Sequence, residues 1–191
     1  MGNLMYISID TQNGFCEGGN LAVVGGIKCG DKQAQYLEEN KDKYEVVVAT
    51  ADWHPSTHCS FKENGGTWPP HCKQFSADAA IYQPLLDVLE TCPHFEVLTK
   101  GCDEDHEEYS IFKNEASRKK LIDLVKAFDI DEIHVGGIAY DYCVAETVKD
   151  GLRYLPNVKF KVFGEFCPAI TEYTANNFTN FIYSTERVEL V

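Results

Sequence analysis

No apolar run in this sequence approaches the roughly 20 residues that a membrane-spanning helix needs, and the opening Met1-Gly2-Asn3-Leu4-Met5-Tyr6 has neither the basic start nor the apolar core of a secretion signal. Gly2 is not followed by the Ser or Thr of a myristoylation signal. A cytoplasmic location without membrane attachment is the expectation. Basic residues are also scarce: 17 Lys and Arg stand against 30 Asp and Glu, a net charge of −13. Nucleic acid and anionic surfaces are therefore poor partners, because a phosphate backbone needs cationic neutralisation. A small neutral molecule fits better. There is no Cys-x-x-Cys pair, so a zinc site built of thiolates has no support. The eight cysteines are scattered along a medium-sized chain rather than framed as a disulfide scaffold, and are expected to be reduced. Repeats, low-complexity tracts and linkers are missing as well, which leaves one domain over residues 1–191.

What is present is alternation. Apolar, β-rich runs at Leu4–Ile9, Tyr44–Thr50, Phe95–Thr99, Glu132–Val135 and Val158–Phe163 read as strands. Helical spacing of apolar residues marks Asp31–Asn40, Ser117–Phe128, Asp141–Tyr154 and Thr171–Tyr183. The pattern predicts an α/β fold around a mainly parallel sheet. The stretch Trp53–Ser76, rich in His, Pro, Gly and Cys, is too long for an idle connection and is a candidate binding loop.

Open α/β sheets bind ligands beyond the carboxyl ends of their strands. Asp10 follows the first predicted strand, Asp52 and His54 the second, Lys100 the third, and Gly136-Gly137 leads from the fourth to Cys143. Five reactive side chains are thus expected in one crevice. Cys143 is the candidate nucleophile. With Asp141 as N-cap it falls in the first helical turn, where free N–H groups and the helix dipole favour a thiolate. Moving a proton from an ordinary Cys to an ordinary Asp is uphill by roughly 6 kcal/mol. Either burial must raise Asp10 or Lys100 must lower Cys143. Taken singly, each residue is more simply a core thiol, a turn former or a solvated lysine; together at strand ends they read as a site.

A second cluster, Asp52-Trp53-His54-Pro55 followed by Trp68-Pro69-Pro70-His71-Cys72, reads as metal binding. Asp52 and His54 share one face of extended chain, and the loop can return His71 to them. A carboxylate and two imidazoles suit one divalent ion, Zn, Fe or Mn, with positions left open. His58 is either a further ligand or a hydrogen-bonded loop histidine. Phe15 and Trp68 flank the crevice as candidates to sandwich an aromatic ring.

These segments resemble the nicotinamidase (pyrazinamidase) branch of the isochorismatase-like cysteine hydrolases. The match runs through Asp10-Thr11-Gln12-Asn13, Phe15, Gly18-Gly19, Asp52-Trp53-His54-Pro55, His58-Cys59-Ser60-Phe61, Trp68-Pro69-Pro70-His71-Cys72, Lys100-Gly101, Tyr109-Ser110 and Gly137–Val144. The resemblance implies a doubly wound, three-layer fold with helices on both sheet faces. It also implies an Asp10, Lys100, Cys143 triad and metal ligands Asp52, His54 and His71, with Ser60 at the variable fourth position. An oxyanion hole of the Ala139 and Cys143 N–H groups, with a cis bond before Ala139, comes with it. The implied reaction converts nicotinamide to nicotinate and ammonia through a Cys143 thioester, in NAD salvage, with pyrazinamide as a further substrate. A homo-oligomer is compatible with this.

The chain departs from the family at Lys73-Gln74-Phe75-Ser76, where relatives carry a Val-Gln-Gly-Thr-like stretch, and at Tyr140, where Thr or Leu is common. Tyr140 is thereby expected on a pocket wall, and these positions bear on substrate choice. Isochorismatase itself, which cleaves a vinyl ether, lacks the metal set and fits less well. Another small-amide hydrolase of the superfamily, or a non-catalytic ligand-binding or redox module, are the rival readings.

Overall fold

The computed structural model describes residues 2–191. Its centre is one all-parallel sheet in the order β3-β2-β1-β4-β5-β6. The strands are β1 (Asn3–Ile9), β2 (Val46–Asp52), β3 (Phe95–Lys100), β4 (Ile130–Gly137), β5 (Lys159–Val162) and β6 (Val188–Leu190). The central strands are apolar on both faces because both are covered: every residue of β2 is buried. Met5, Ile7 and Ile9 of β1 join Ile133 and Val135 of β4 in the core shared with α3 (Glu115–Ala127), α4 (Ala145–Tyr154) and α5 (Glu172–Tyr183). Tyr6 and, from β2, Val47 and Ala49 face the other way onto α1 (Gly26–Asn40) and α2 (Gln83–Leu89). The expected doubly wound α/β fold is therefore observed. The chain reverses its direction of growth between β1 and β4, and that switch opens the crevice. No helix among the described residues is long and apolar enough to cross a membrane.

Four parts of the chain differ from expectation. Helix α1 starts at Gly26 rather than Asp31, because a distant carboxylate caps it: Glu17 accepts from Gly25 N at 2.8 Å and Ile27 N at 2.7 Å. Such a cap leaves no local sequence signal, and Gly25-Gly26 reads as a breaker. Helix α2 and strand β6 are short and have no counterpart among the expected elements. The single helix expected over Asp141–Tyr154 is instead a π-helical turn, Tyr140–Val144, leading into α4.

Asp141 is not the N-cap of that turn, whose N-cap residue is Ala139. Its carboxylate accepts from Ile170 N, Thr171 N and Thr174 Oγ1 at 2.9, 3.0 and 2.5 Å, tying the turn to the start of α5. The donors that claim it are some thirty residues away in sequence, beyond the reach of a capping pattern.

Candidate active site

Each reactive side chain is placed by the end of a strand. Asp10 follows β1 in the left-handed region (φ 45), a conformation Asp adopts more readily than most residues. Its N–H donates to Thr50 O at 3.1 Å, and Thr50 Oγ1 donates to Asp10 Oδ1 at 2.6 Å, so β2 fixes the carboxylate. Asp52 ends β2 and Lys100 ends β3, paired in register. Lys100 is fully buried. Its Nζ lies 2.5 Å from Asp52 Oδ1, 2.9 Å from Asp10 Oδ2 and 3.5 Å from Cys143 Sγ. One ammonium thus joins three groups drawn from separate strands.

The electrostatics follow from burial and this one cation. Burial pulls Lys100 toward its neutral form, but Asp10, Asp52 and Cys143 outweigh it and hold its pKa well above lysine's ordinary value. Burial likewise opposes the Asp52 carboxylate, yet Lys100 and His54 keep it far below the usual carboxylate range. For Asp10 burial wins over Lys100, and its pKa is raised. Burial also pushes Cys143 well up, with Lys100 only partly offsetting it. Of the two expected routes, these directions favour a raised Asp10 over a Cys143 lowered by Lys100. Asp10 is the candidate proton acceptor beside the thiol, and its Oδ2 has no directed hydrogen bond, only the ion pair with Lys100.

Next to this group, ligand atoms of Asp52, His54 and His71 lie within 4.8 Å of one another, all buried. His54 Nδ1 is 3.0 Å from Gly101 O and His71 Nδ1 is 2.8 Å from Pro69 O. With those nitrogens donating to carbonyls, both Nε2 atoms are left as acceptors, the tautomer a metal ligand requires. Burial keeps the His71 pKa low, while Asp52 outweighs burial and raises that of His54. Two imidazole nitrogens and a carboxylate, each outer nitrogen anchored, fit a divalent metal ion.

Above both groups lies a cavity of about 420 Å³, part of it open to solvent. Phe15, Trp68, Tyr109, Tyr142, Leu21 and Val23 make most of its apolar wall, with Asp52, His71, Ala139 and Cys143 at the reactive side. Trp68 Nε1 donates to Tyr109 Oη at 2.9 Å, and Tyr142 packs edge-on to both rings at 5.5 Å. The Ile138–Ala139 bond is cis.

The isochorismatase domain model matches residues 5–154 of this chain. This chain belongs to the isochorismatase family. Among its relatives, the nicotinamidase/pyrazinamidase of Mycobacterium tuberculosis is 38% identical over 151 residues, covering 77% of each chain. The nicotinamidase of Escherichia coli is 35% identical over 162 residues, covering 76% of this chain and 74% of the relative. A crystal structure of the pyrazinamidase of Pyrococcus horikoshii in complex with zinc superposes with a TM-score of 0.84 at 26% identity, covering 99% of this chain and 98% of that one.

Within this isochorismatase-family crevice the structure brings together Asp10, Lys100 and Cys143, and separately Asp52, His54 and His71, with Phe15 and Trp68 on the wall. Tyr140 requires a correction. It does not line the cavity: its ring packs on Phe178 at 4.9 Å and its hydroxyl meets Thr179 Oγ1 at 2.9 Å. Tyr142 stands on the wall instead. The expectation for Tyr140 came from its departure from the family's Thr or Leu, and in the π turn Tyr140–Val144 that position packs against α5. Ser60 Oγ is 2.7 Å from His58 Nδ1, and His58 Nε2 is 3.1 Å from His106 O. Both nitrogens of His58 are engaged, and burial drives its pKa down to about 4. His58 is thus a hydrogen-bonded partner of Ser60, its ring tilted 37° against that of His54 with centroids 4.0 Å apart. Sequence reasoning also missed Glu107, Tyr109 and Tyr142 as cavity residues. Tyr142, adjacent to Cys143, and Tyr109, within the family-like Tyr109-Ser110 segment, carried signals that could have found them.

Proposed function

We propose that this chain hydrolyses nicotinamide to nicotinate and ammonia, accepts pyrazinamide, and so serves NAD salvage. The observation that carries the reading is the Lys100 ammonium, buried between Asp10, Asp52 and Cys143, because it joins a nucleophile and its base to a metal-ligand set under an aromatic-walled cavity. The nicotinamidases that resemble about three-quarters of the chain support the same substrate.

Asp52, His54 and His71, with Ser60 as a further donor, would hold a Zn, Fe or Mn ion, which would supply Lewis acidity toward the pyridine nitrogen. Phe15 and Trp68 hold the ring so that the carboxamide lies over Cys143. As Sγ attacks the carbonyl carbon, its proton passes to Asp10, which avoids forming a free thiolate in a buried site. The Ala139 N–H, which has no backbone partner among the described residues, and the Cys143 N–H receive the developing oxyanion. Collapse breaks the C–N bond, and Asp10 returns the proton to nitrogen so that ammonia departs. Asp10 then takes a proton from water as the hydroxide adds to the thioester. The C–S bond breaks, and the sulfur recovers that proton. Lys100 stays cationic throughout and keeps Asp52 ionised.

The direct test is ammonia release from nicotinamide and pyrazinamide by reduced, metal-replete protein. Absence of turnover on both would refute the reading. A His71→Ala variant is expected to bind zinc at least about 100-fold more weakly, since loss of a ligand exceeds loss of an outer-shell partner, and to raise KM for nicotinamide. Metal content after dialysis, measured beside KM, checks this; unchanged metal content would assign the ion to other ligands.

A further inference from the structure

Glu108 lies outside the cavity lining and takes no part in the reaction above. It is nevertheless only 8% exposed and makes no ion pair among the described residues. A carboxylate kept in such a place must be using its charge on hydrogen-bond donors. Its Oε2 accepts from Gly101 N at 2.6 Å and from Asn114 Nδ2 at 3.2 Å. Asn114 is itself fixed, because its Oδ1 accepts from Ser117 N at 3.1 Å as the N-cap of α3. The carboxylate is therefore braced by a helix on one side and pulls on a turn with the other.

That turn carries two of the groups on which the site depends. The peptide unit that donates Gly101 N–H to Glu108 has the Lys100 carbonyl at its other end. Lys100 O accepts from Trp53 N at 2.9 Å, between Asp52 and His54. One residue on, Gly101 O meets His54 Nδ1 at 3.0 Å. Gly101 can hold this place only as glycine: its φ is +63, and a Cβ there would run into the His54 ring. The turn is thus in contact with the imidazole through its carbonyl, and its Gly101 N–H is held by Glu108. Charge-assisted bonds are roughly twice as strong as neutral ones, and they polarise the peptide they engage.

We propose that Glu108 is a positioning residue: by clamping the Lys100–Gly101 turn it holds the His54 imidazole with Nε2 toward Asp52 and His71, and sets Lys100 between Asp10 and Asp52. It acts on the metal through His54 and touches neither substrate nor reacting atoms. The inference rests on the reading of Asp52, His54 and His71 as the metal site.

Zinc affinity of the full-length metal-free protein, measured by competition with a chromophoric chelator, separates positioning from general support of the fold. Glu108→Ala is expected to bind zinc about 10–100-fold more weakly, the usual effect of losing an outer-shell partner, at a temperature where circular dichroism shows the variant folded. Glu108→Gln keeps an oxygen that accepts both bonds and should stay within about fivefold of the parent chain. If Glu108→Ala does not fold, Glu108→Asp takes its place: it keeps the charge, shortens the reach by one methylene, and should show the same loss. Parent-like zinc affinity in the folded Ala or Asp variant would overturn the proposal while leaving the metal site intact. Failure of the parent chain to bind zinc would overturn the metal-site reading and this inference with it.

Discussion

Replacing Cys143 with alanine is expected to lower nicotinamide turnover by on the order of 10⁴-fold or more, the scale on which removal of a covalent nucleophile acts, while leaving the fold and the metal site in place. The two effects separate because of how Cys143 is held. Its hydrogen-bonding neighbour is Lys100 Nζ at 3.5 Å, a long contact, whereas Lys100 is secured at 2.9 and 2.5 Å by Asp10 and Asp52. Alanine removes the sulfur without releasing the lysine. The proposed metal ligands are Asp52, His54 and His71, a group that does not include the thiol. Each factor of ten in rate is about 1.4 kcal/mol, so the loss corresponds to at least roughly 5 kcal/mol of transition-state stabilisation. Initial rates of ammonia release, metal content and a denaturation curve on the same preparation check all three statements. An active Cys143→Ala protein would assign the nucleophile elsewhere, and a metal-free one would show that the thiol belongs to the ligand set. Asp10→Asn should match the alanine variant in rate loss, because an amide of the same shape cannot take the thiol proton.

How much of this was legible beforehand depended on the range of the physics involved. Asp10, Asp52, Lys100 and Cys143 were readable because strands are local patterns, and the ends of parallel strands converge whatever the loops do. Glu17 was not: it caps α1 from nine or more residues upstream of the helix it serves, and no periodicity encodes that. Asp141 looked like a local cap and became a long-range one. The exchange of Tyr140 for Tyr142 on the wall had a different cause. A family departure marks a position as unusual but not the direction of its side chain, and Tyr140 turns onto Phe178 and Thr179 of α5. The direction of the Cys143 shift could not be read either, since the sequence shows a helix start but not the burial that opposes it.

Lys100→Met is expected to be the most destabilising substitution at the site, by about 3–5 kcal/mol in the metal-free protein, the cost of breaking a buried ion pair from one side. Methionine keeps most of the lysine stem, so the loss is electrostatic rather than a cavity. Two carboxylates, both buried, are left without their common cation. The sign of the pH dependence follows from the directions of the shifts. In the parent chain Asp52 is depressed, so its contribution is present above the unfolded carboxylate pKa and is lost as pH falls through the folded one. Lys100 is raised, so its contribution is complete below the unfolded lysine pKa and is lost as pH rises through the folded value. In the variant, both carboxylates are raised by burial, a penalty that applies above the unfolded pKa and is relieved as pH falls. The stability gap should therefore be widest near neutral pH and close toward pH ~4, the ordinary carboxylate range. Urea unfolding across that range measures it, and a gap that widened on acidification would contradict the ion-pair account. Adding Asp10→Asn to Lys100→Met gives the sharper result. If the lysine's main structural task is to neutralise Asp10 and Asp52, removing one of those charges from the variant should recover stability. A double variant less stable than Lys100→Met would mean that Asp10 is held by something other than this cation, and Thr50, bonded to its other oxygen at 2.6 Å, is the group that would have to supply it.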